Sequence, residues 1–174
     1  MKRLLLLRHA KAVPGGPAIE DHERELLARG REDVPRLGRY IAREGYTPDL
    51  IIASTARRTV ETVELVGDAF AGTQRIDYLE ALYLAEPDAI LSLIRLTPDT
   101  TASLMVVGHN PGLERVATLL AREPVKRRER DRFDAIEEKF PTAALAVLDF
   151  AVTRWRDVAP GEGALKDFVR PRDL

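Results

Sequence analysis

The chain reads as an α/β protein three layers deep, α/β/α, with helices on both faces of a mostly parallel central sheet. Two observations predict this. The short apolar runs Leu4–Leu7, Leu50–Ala53 and Leu104–Val107 are closed by turn residues and lack polar alternation, as strands buried on both faces do. Segments with helical spacing of apolar residues separate these runs, and strand–helix alternation builds a parallel sheet. At 174 residues the chain suits one domain, 1–174, with no repeat, linker or low-complexity tract to divide it.

Taken in order, Met1–Leu7 is the first strand, and Lys11–Glu20, with Pro14, Gly15, Gly16 and Pro17, is a loop. Between Leu26 and Glu44, apolar residues recur at mostly helical spacing (Leu26, Leu27, Val34, Leu37, Tyr40, Ile41). Gly30 and Pro35 interrupt this stretch, which predicts an entry turn and then a helix with Pro35 near its first turn. Gly45 ends the helix and Pro48 leads into the second strand. Val60, Val63, Val66 and Phe70 share one face of a helix over Thr59–Phe70. Arg75–Leu79 is a weaker strand, Asp88–Leu96 a helix, Ser103–Val107 a strand and Leu113–Ala121 a helix. The segment Glu123–Lys139 is dense in charges of both signs and reads as an exposed helix or excursion laced with local ion pairs, with Lys126, Arg127 and Arg128 as a basic edge open to an acidic partner. Ala143–Phe150 and Val152–Val158 read as two β segments in a hairpin, bringing antiparallel pairing to the C-terminal end.

Hydrophobic residues make up 45% and charged residues 32%, the composition of a globular domain with a solvated surface. A net charge of −1 gives no global field to attract nucleic acid. Cysteine is absent, which excludes disulfides and thiolate metal sites and fits a reducing compartment. Leu4–Leu7 is too short for a signal-peptide core, and no stretch approaches the roughly 20 apolar residues that cross a bilayer. Cytoplasmic residence, with neither membrane nor nucleic acid as partner, is the expectation.

In open α/β sheets, ligands bind outside the carboxyl ends of the strands. Each apolar run stops at residues able to hold a phosphate: Arg8-His9, Ser54 with Arg57 and Arg58, and Gly108-His109-Asn110-Pro111-Gly112. Singly these signals are weak, since a histidine at a strand end is commonly a structural hydrogen-bonding group and Gly-His-Asn-Pro-Gly is a good turn. Together they bring two of the three histidines and at least two arginines to one rim, as a phosphoryl site. His22, within the charged stretch Glu20–Glu25, is expected to face water. Ser54–Thr62 opens a helix, whose N-terminus suits an anion, with Ser54 or Thr55 as N-cap. Neighbouring helical residues point about 100° apart, which aims Arg58 inward and Arg57 outward.

At these residues the sequence resembles the histidine phosphatase superfamily, with its phosphoglycerate-mutase-like fold, and is most similar to the small SixA-type phosphohistidine phosphatase branch. Arg8-His9-Ala10 resembles the N-terminal Arg-His-Gly/Ala signature, whose histidine takes the phosphoryl group. Ser54, Arg58 and Thr62 resemble the Ser-x-x-x-Arg-x-x-x-Thr segment, and Gly108-His109-Asn110-Pro111 the second-histidine motif. Asp21-x-x-Arg24-x-Leu26 followed by Gly30 resembles the stretch that adds a phosphate-binding arginine in the SixA-like branch. The likeness runs from Met1 to about Ala121 and returns at Thr142–Phe150.

The resemblance implies a phosphatase in which His9, His109, Arg8 and Arg58 are catalytic. It implies phosphate binding by Arg8, Arg24, Arg58, His109 and Asn110. Larger relatives use an acid after the third strand; here only Glu80 and Glu86 lie there, without the surrounding pattern, so Glu80 and Asp21 are the candidate general acids. Attack on phosphorus requires a neutral His9, its second nitrogen donating to a backbone carbonyl. Neither metal nor cofactor is called for. The expected substrate is a phosphohistidine-bearing protein, the alternatives being a small phosphomonoester or phosphate binding without turnover, and the expected assembly a monomer or weak dimer.

Overall fold

A computed structural model describes residues 1–174. The elements in order are β1 (Lys2–Arg8), α1 (Ala28–Arg43), β2 (Leu50–Ser54), α2 (Arg57–Gly67), β3 (Arg75–Leu79), α3 (Pro87–Arg95), β4 (Ser103–Gly108), α4 (Gly112–Leu120), α5 (Arg127–Glu138), β5 (Leu145–Phe150) and β6 (Ala164–Val169). The strands form one sheet in the order β3-β2-β4-β1-β5-β6. Strands β1 to β4 are mutually parallel, and β5 is antiparallel to both β1 and β6. The carboxyl ends of β1, β2, β4 and β6 therefore share one rim.

The uninterrupted apolar runs follow from burial on both faces. Leu4, Leu6, Leu50, Ile52, Leu104 and Val106 join one core with residues of α3, α4 and α5. Their sequence neighbours Leu5, Leu7, Ile51, Ala53, Met105 and Val107 join a second core with residues of α1 and α2. Side chains alternate across a strand, so consecutive leucines feed opposite layers. Each fully buried Leu, Ile or Val contributes about 1.5–3 kcal/mol. The fold is three-layer α/β/α, as the sequence predicts.

Two expectations are corrected. Pro35 lies in the interior of α1, not near its start, and Ala28–Arg43 is one helix. The backbone bond that Pro35 cannot donate is outweighed by burial of Val34, Leu37 and Ile41. Gly30 keeps the first turn in place, since a Cβ there would come within 2.4 Å of the Lys11 carbonyl oxygen. Val152–Val158 is not a strand. Trp155 begins a short 3₁₀ turn there and is fully buried, its indole N–H donating to Thr101 O at 2.8 Å. The last strand is instead β6, where Tyr40 donates to the Asp167 carboxylate at 2.6 Å. The charged segment forms α5, with Ile136 its one buried residue and Arg122–Glu129 and Arg132–Asp167 as ion pairs.

Candidate active site

The rim where β1, β2 and β4 end carries His9, Arg58 and His109. His9 leaves β1 in a turn clamped from both sides. Its N–H donates to Gly108 O, while Ala143 N–H is shared between Arg8 O and His9 O at 3.1 Å each. Ala143 takes a φ of +59°, a region non-glycine residues rarely occupy, to reach that position. Thr62 ties the turn to α2: Ala10 N–H donates to its hydroxyl at 3.0 Å, and the hydroxyl donates to Arg58 O at 2.7 Å. The spacing of four between Arg58 and Thr62 is one helical turn, which lets one helix end hold both the arginine and the histidine loop.

His9 is 7% exposed and His109 3%, with ring centroids 5.2 Å apart. His9 Nδ1 lies 2.8 Å from Ala10 O. A carbonyl only accepts, so Nδ1 carries the hydrogen and Nε2 presents its lone pair. Arg58, 2% exposed, donates through Nε to that Nε2 at 3.3 Å. Its Nη2 lies 3.3 Å from His109 Nδ1, and since a guanidinium only donates, His109 Nδ1 accepts. His109 Nε2 then donates to Ser54 Oγ at 2.7 Å, and the same oxygen accepts Ala56 N–H. Ser54 is thus drawn to the histidine; Ala56 is the N-cap of α2 and has no side-chain cap, contrary to the Ser54 or Thr55 cap expected.

Burial pushes both imidazoles down to about 3, reinforced for His9 by His109, Arg58 and Arg8, and for His109 by Arg58 and Arg8. Both are therefore neutral at pH 7. Their ring NMR signals should not titrate between pH 8 and about 5, and a midpoint near the ordinary 6.5 would contradict this environment. The sign for stability follows. Below 6.5 the unfolded chain protonates these histidines while the folded chain resists, so each weakens folding as pH falls from 6.5 towards 3.

Asp21, at the head of a 3₁₀ turn over Asp21–Glu23, folds onto the rim. Its carboxylate accepts from the Tyr83 hydroxyl, from Arg24 Nη1 at 2.9 Å and from Arg58 Nη2 at 3.1 Å, while its backbone O accepts from Arg58 Nη1 at 2.7 Å. The Tyr83 hydroxyl foremost, then both arginines, hold this carboxyl well below the usual carboxylate range. Arg24 also donates through Nε to Val13 O at 2.7 Å. Arg8 donates through Nη1 to Phe140 O at 3.0 Å, and its Nε is buried with no hydrogen-bond partner. The Asn110 amide donates to Phe140 O at 2.8 Å and to Glu114, and its oxygen accepts Glu114 N–H at the start of α4. That side chain braces the rim.

Arg57 points away, paired with Glu25 at 2.9 Å and Glu61 at 3.4 Å. Glu80 is exposed, opens the 3₁₀ turn Glu80–Leu82, and makes no side-chain hydrogen bond or ion pair with the cluster. His22 does not simply face water: Nε2 lies 2.9 Å from the Thr55 hydroxyl and its ring meets Tyr83 edge-on at 4.9 Å. The 3₁₀ turn over Asp21–Glu23 carries it onto the rim beside Asp21. Tyr83, which also packs edge-on against His109 at 5.6 Å, escapes the sequence reading. Its position shortly after the weak third strand is the one available signal, because the end of that strand opens on the same rim.

Residues 4–83 match the family model of the histidine phosphatase superfamily (branch 1). A crystal structure from Agrobacterium tumefaciens, assigned as the phosphohistidine phosphatase SixA, is 33% identical, covers 98% of each chain and superposes with a TM-score of 0.80. The chain belongs to the histidine phosphatase superfamily. Membership places it among the phosphatases, in the SixA-like group. A structure from Nakamurella multipartitia with the same assignment is 26% identical over 98% of this chain and 96% of that one, with a TM-score of 0.81. An uncharacterised protein of Mycobacterium tuberculosis is 37% identical over 168 residues, 95% of this chain and all of that protein. No helix is long and apolar enough to cross a membrane.

Proposed function

We propose that this phosphatase removes the phosphoryl group from phosphohistidine on a protein, through a covalent intermediate on His9 and without a metal ion. The observation that carries this reading is the state of Asp21. A carboxylate held ionised by Tyr83, Arg24 and Arg58 has no proton to give a leaving group, and Glu80 stands apart from the cluster. An alkoxide leaving group needs such a proton. An imidazole leaving from phosphohistidine departs once its own ring is protonated, so it asks less of the site.

In this reading His9 Nε2 attacks phosphorus with its lone pair, Nδ1 held by Ala10 O. The three oxygens of the transferring group spread negative charge that fixed cationic donors stabilise. Arg58 supplies one by turning its Nε–H from the His9 lone pair to a phosphoryl oxygen, and Arg24 another through Nη2, which makes no hydrogen bond, both keeping their contacts to Asp21. The unpartnered Arg8 Nε gains an acceptor. Water then cleaves the phosphohistidine on His9. No group of three His, Asp or Glu side chains is placed to hold a metal ion, and the three arginines supply the charge a metal would bring. The identities of 33% and 26% to structures assigned as SixA support the same substrate class.

The test compares a phosphohistidine-bearing protein with sugar phosphates at equal pH and salt, with and without EDTA. We expect kcat/KM for the phosphoprotein to be larger by at least about 100-fold, roughly 2.7 kcal/mol in barrier height. EDTA should change neither rate. Equal efficiencies would make this a small-molecule phosphomonoesterase, and loss of activity to EDTA would overturn the metal-free mechanism.

A further inference from the structure

Beside the phosphoryl site, the same rim carries a second concavity. Because β5 is antiparallel to both its neighbours, β6 runs parallel to β1, and Arg170 leaves the sheet at the end where His9 does. The turn after β1, the first turns of α1, the end of α5 and the segment after β6 enclose a cavity of about 310 Å³. Lys11, Arg29, Lys139, Arg170 and Arg172 line it, against the two carboxylates Asp33 and Glu138. Arg170 is paired with Asp173, and Asp33 with Arg36. The other four cations are exposed and make no side-chain hydrogen bond or ion pair. In a chain with 27 basic and 28 acidic residues, four cations without an ion-pair partner against one free carboxylate in the lining is a local segregation of charge. Arg172 alone of them lies near a further carboxylate, at Asp173.

Two segments of the lining lead directly to the phosphoryl site. Lys11 stands two residues after His9, and Lys139 precedes Phe140, whose carbonyl holds both Arg8 and Asn110. The four cations come from four different segments that together enclose the cavity. Such an arrangement suits several carboxylates in succession better than one compact anion. Resting on the phosphohistidine reading above, we propose that this cavity docks an acidic segment of the substrate protein, Asp or Glu residues lying close to the phosphohistidine. The contact is solvent-accessible, so it acts on encounter and KM and weakens with salt.

Two phosphohistidine peptides of equal length test this, one with Asp and Glu flanks and one with Asn and Gln at the same places. Both are run on the wild type and on Arg29→Glu/Arg172→Glu, with phosphoramidate as the small substrate. Binding of the unphosphorylated Asp/Glu peptide is read separately by fluorescence anisotropy. We expect the acidic peptide to have an advantage of about 10-fold in kcat/KM, carried by KM, which disappears in the variant and near 0.5 M salt, where screening lengths shrink to roughly 4 Å. Phosphoramidate turnover should be unchanged, showing that the variant is folded and its phosphoryl site intact. The unphosphorylated acidic peptide should bind the variant about 10-fold more weakly. Equal KM for the two peptides on the wild type, or equal anisotropy binding by both proteins, overturns the proposal. So does saturable binding of inorganic pyrophosphate at this cavity with no peptide binding, which would make it a small-anion site. If neither peptide is hydrolysed, the phosphohistidine reading fails by itself, and the anisotropy result still decides the cavity.

Discussion

Replacing His9 with alanine is expected to abolish turnover and, with it, a base-stable, acid-labile phosphoenzyme. Two neutral imidazoles face Arg58, and their surroundings give them different work. His9 Nδ1 is tied to the carbonyl of the next residue, which leaves Nε2 as a lone pair of fixed direction. His109 is tied through Nε2 to Ser54 on β2 and turns Nδ1 to Arg58. Only His9 sits on the turn clamped by Gly108 and Ala143, where a covalent bond can form and break without the ring moving. Loss of a nucleophile that begins a two-step reaction is expected to cost on the order of 10⁵-fold in kcat. The fold should survive, because the truncated ring leaves a small void at the rim, away from the two cores. Rapid quenching with radiolabelled substrate checks the result, and label trapped on His109 or any other residue would reassign the nucleophile.

How much of this was legible in the sequence depended on where the constraint lay. From Met1 to about Ala121, each apolar run is buried on both faces and each intervening helix has one apolar stripe, so local pattern and final structure agree. The C-terminal part lacks that agreement. Val152–Val158 has strand-like residues, yet Trp155 leaves the sheet to fill the core beneath α3 and to reach the Thr101 carbonyl. β6 hides its apolar residues around Lys166 and Asp167, and Asp167 draws its long-range partners from Tyr40, 127 residues away in sequence, and Arg132 on α5. The histidines and Arg58 could be placed because strand ends define a rim. The cover of that rim could not, because Asp21, His22 and Tyr83 meet through a loop and a 3₁₀ turn whose path depends on tertiary contacts. Asp21 shows the consequence: as a residue near the site it qualifies as a general acid, but three donors on its oxygens keep it an anion.

Arg58→Ala should lower kcat/KM by about 10²–10³-fold, 3–4 kcal/mol, while Arg57→Ala stays within about 2-fold. The two residues are adjacent, both begin α2, and both carry a guanidinium, so the comparison isolates direction from charge. Arg58 lies within 3.3 Å of both histidines and donates to Asp21, with 2% of its surface exposed. Arg57 reaches only Glu25 and Glu61 on the outer side, exposed pairs of the kind that contribute about 0.2–1 kcal/mol. Arg58 also helps hold both imidazoles neutral, so its removal should raise their pKa values and move the acid limb of the activity profile to higher pH. Arg58→Lys should not restore activity, since one ammonium cannot serve His9, His109 and Asp21 from the fixed fork that a guanidinium provides. A larger loss for Arg57→Ala than for Arg58→Ala would mean that α2 presents its other face to the substrate and that the phosphoryl group binds elsewhere.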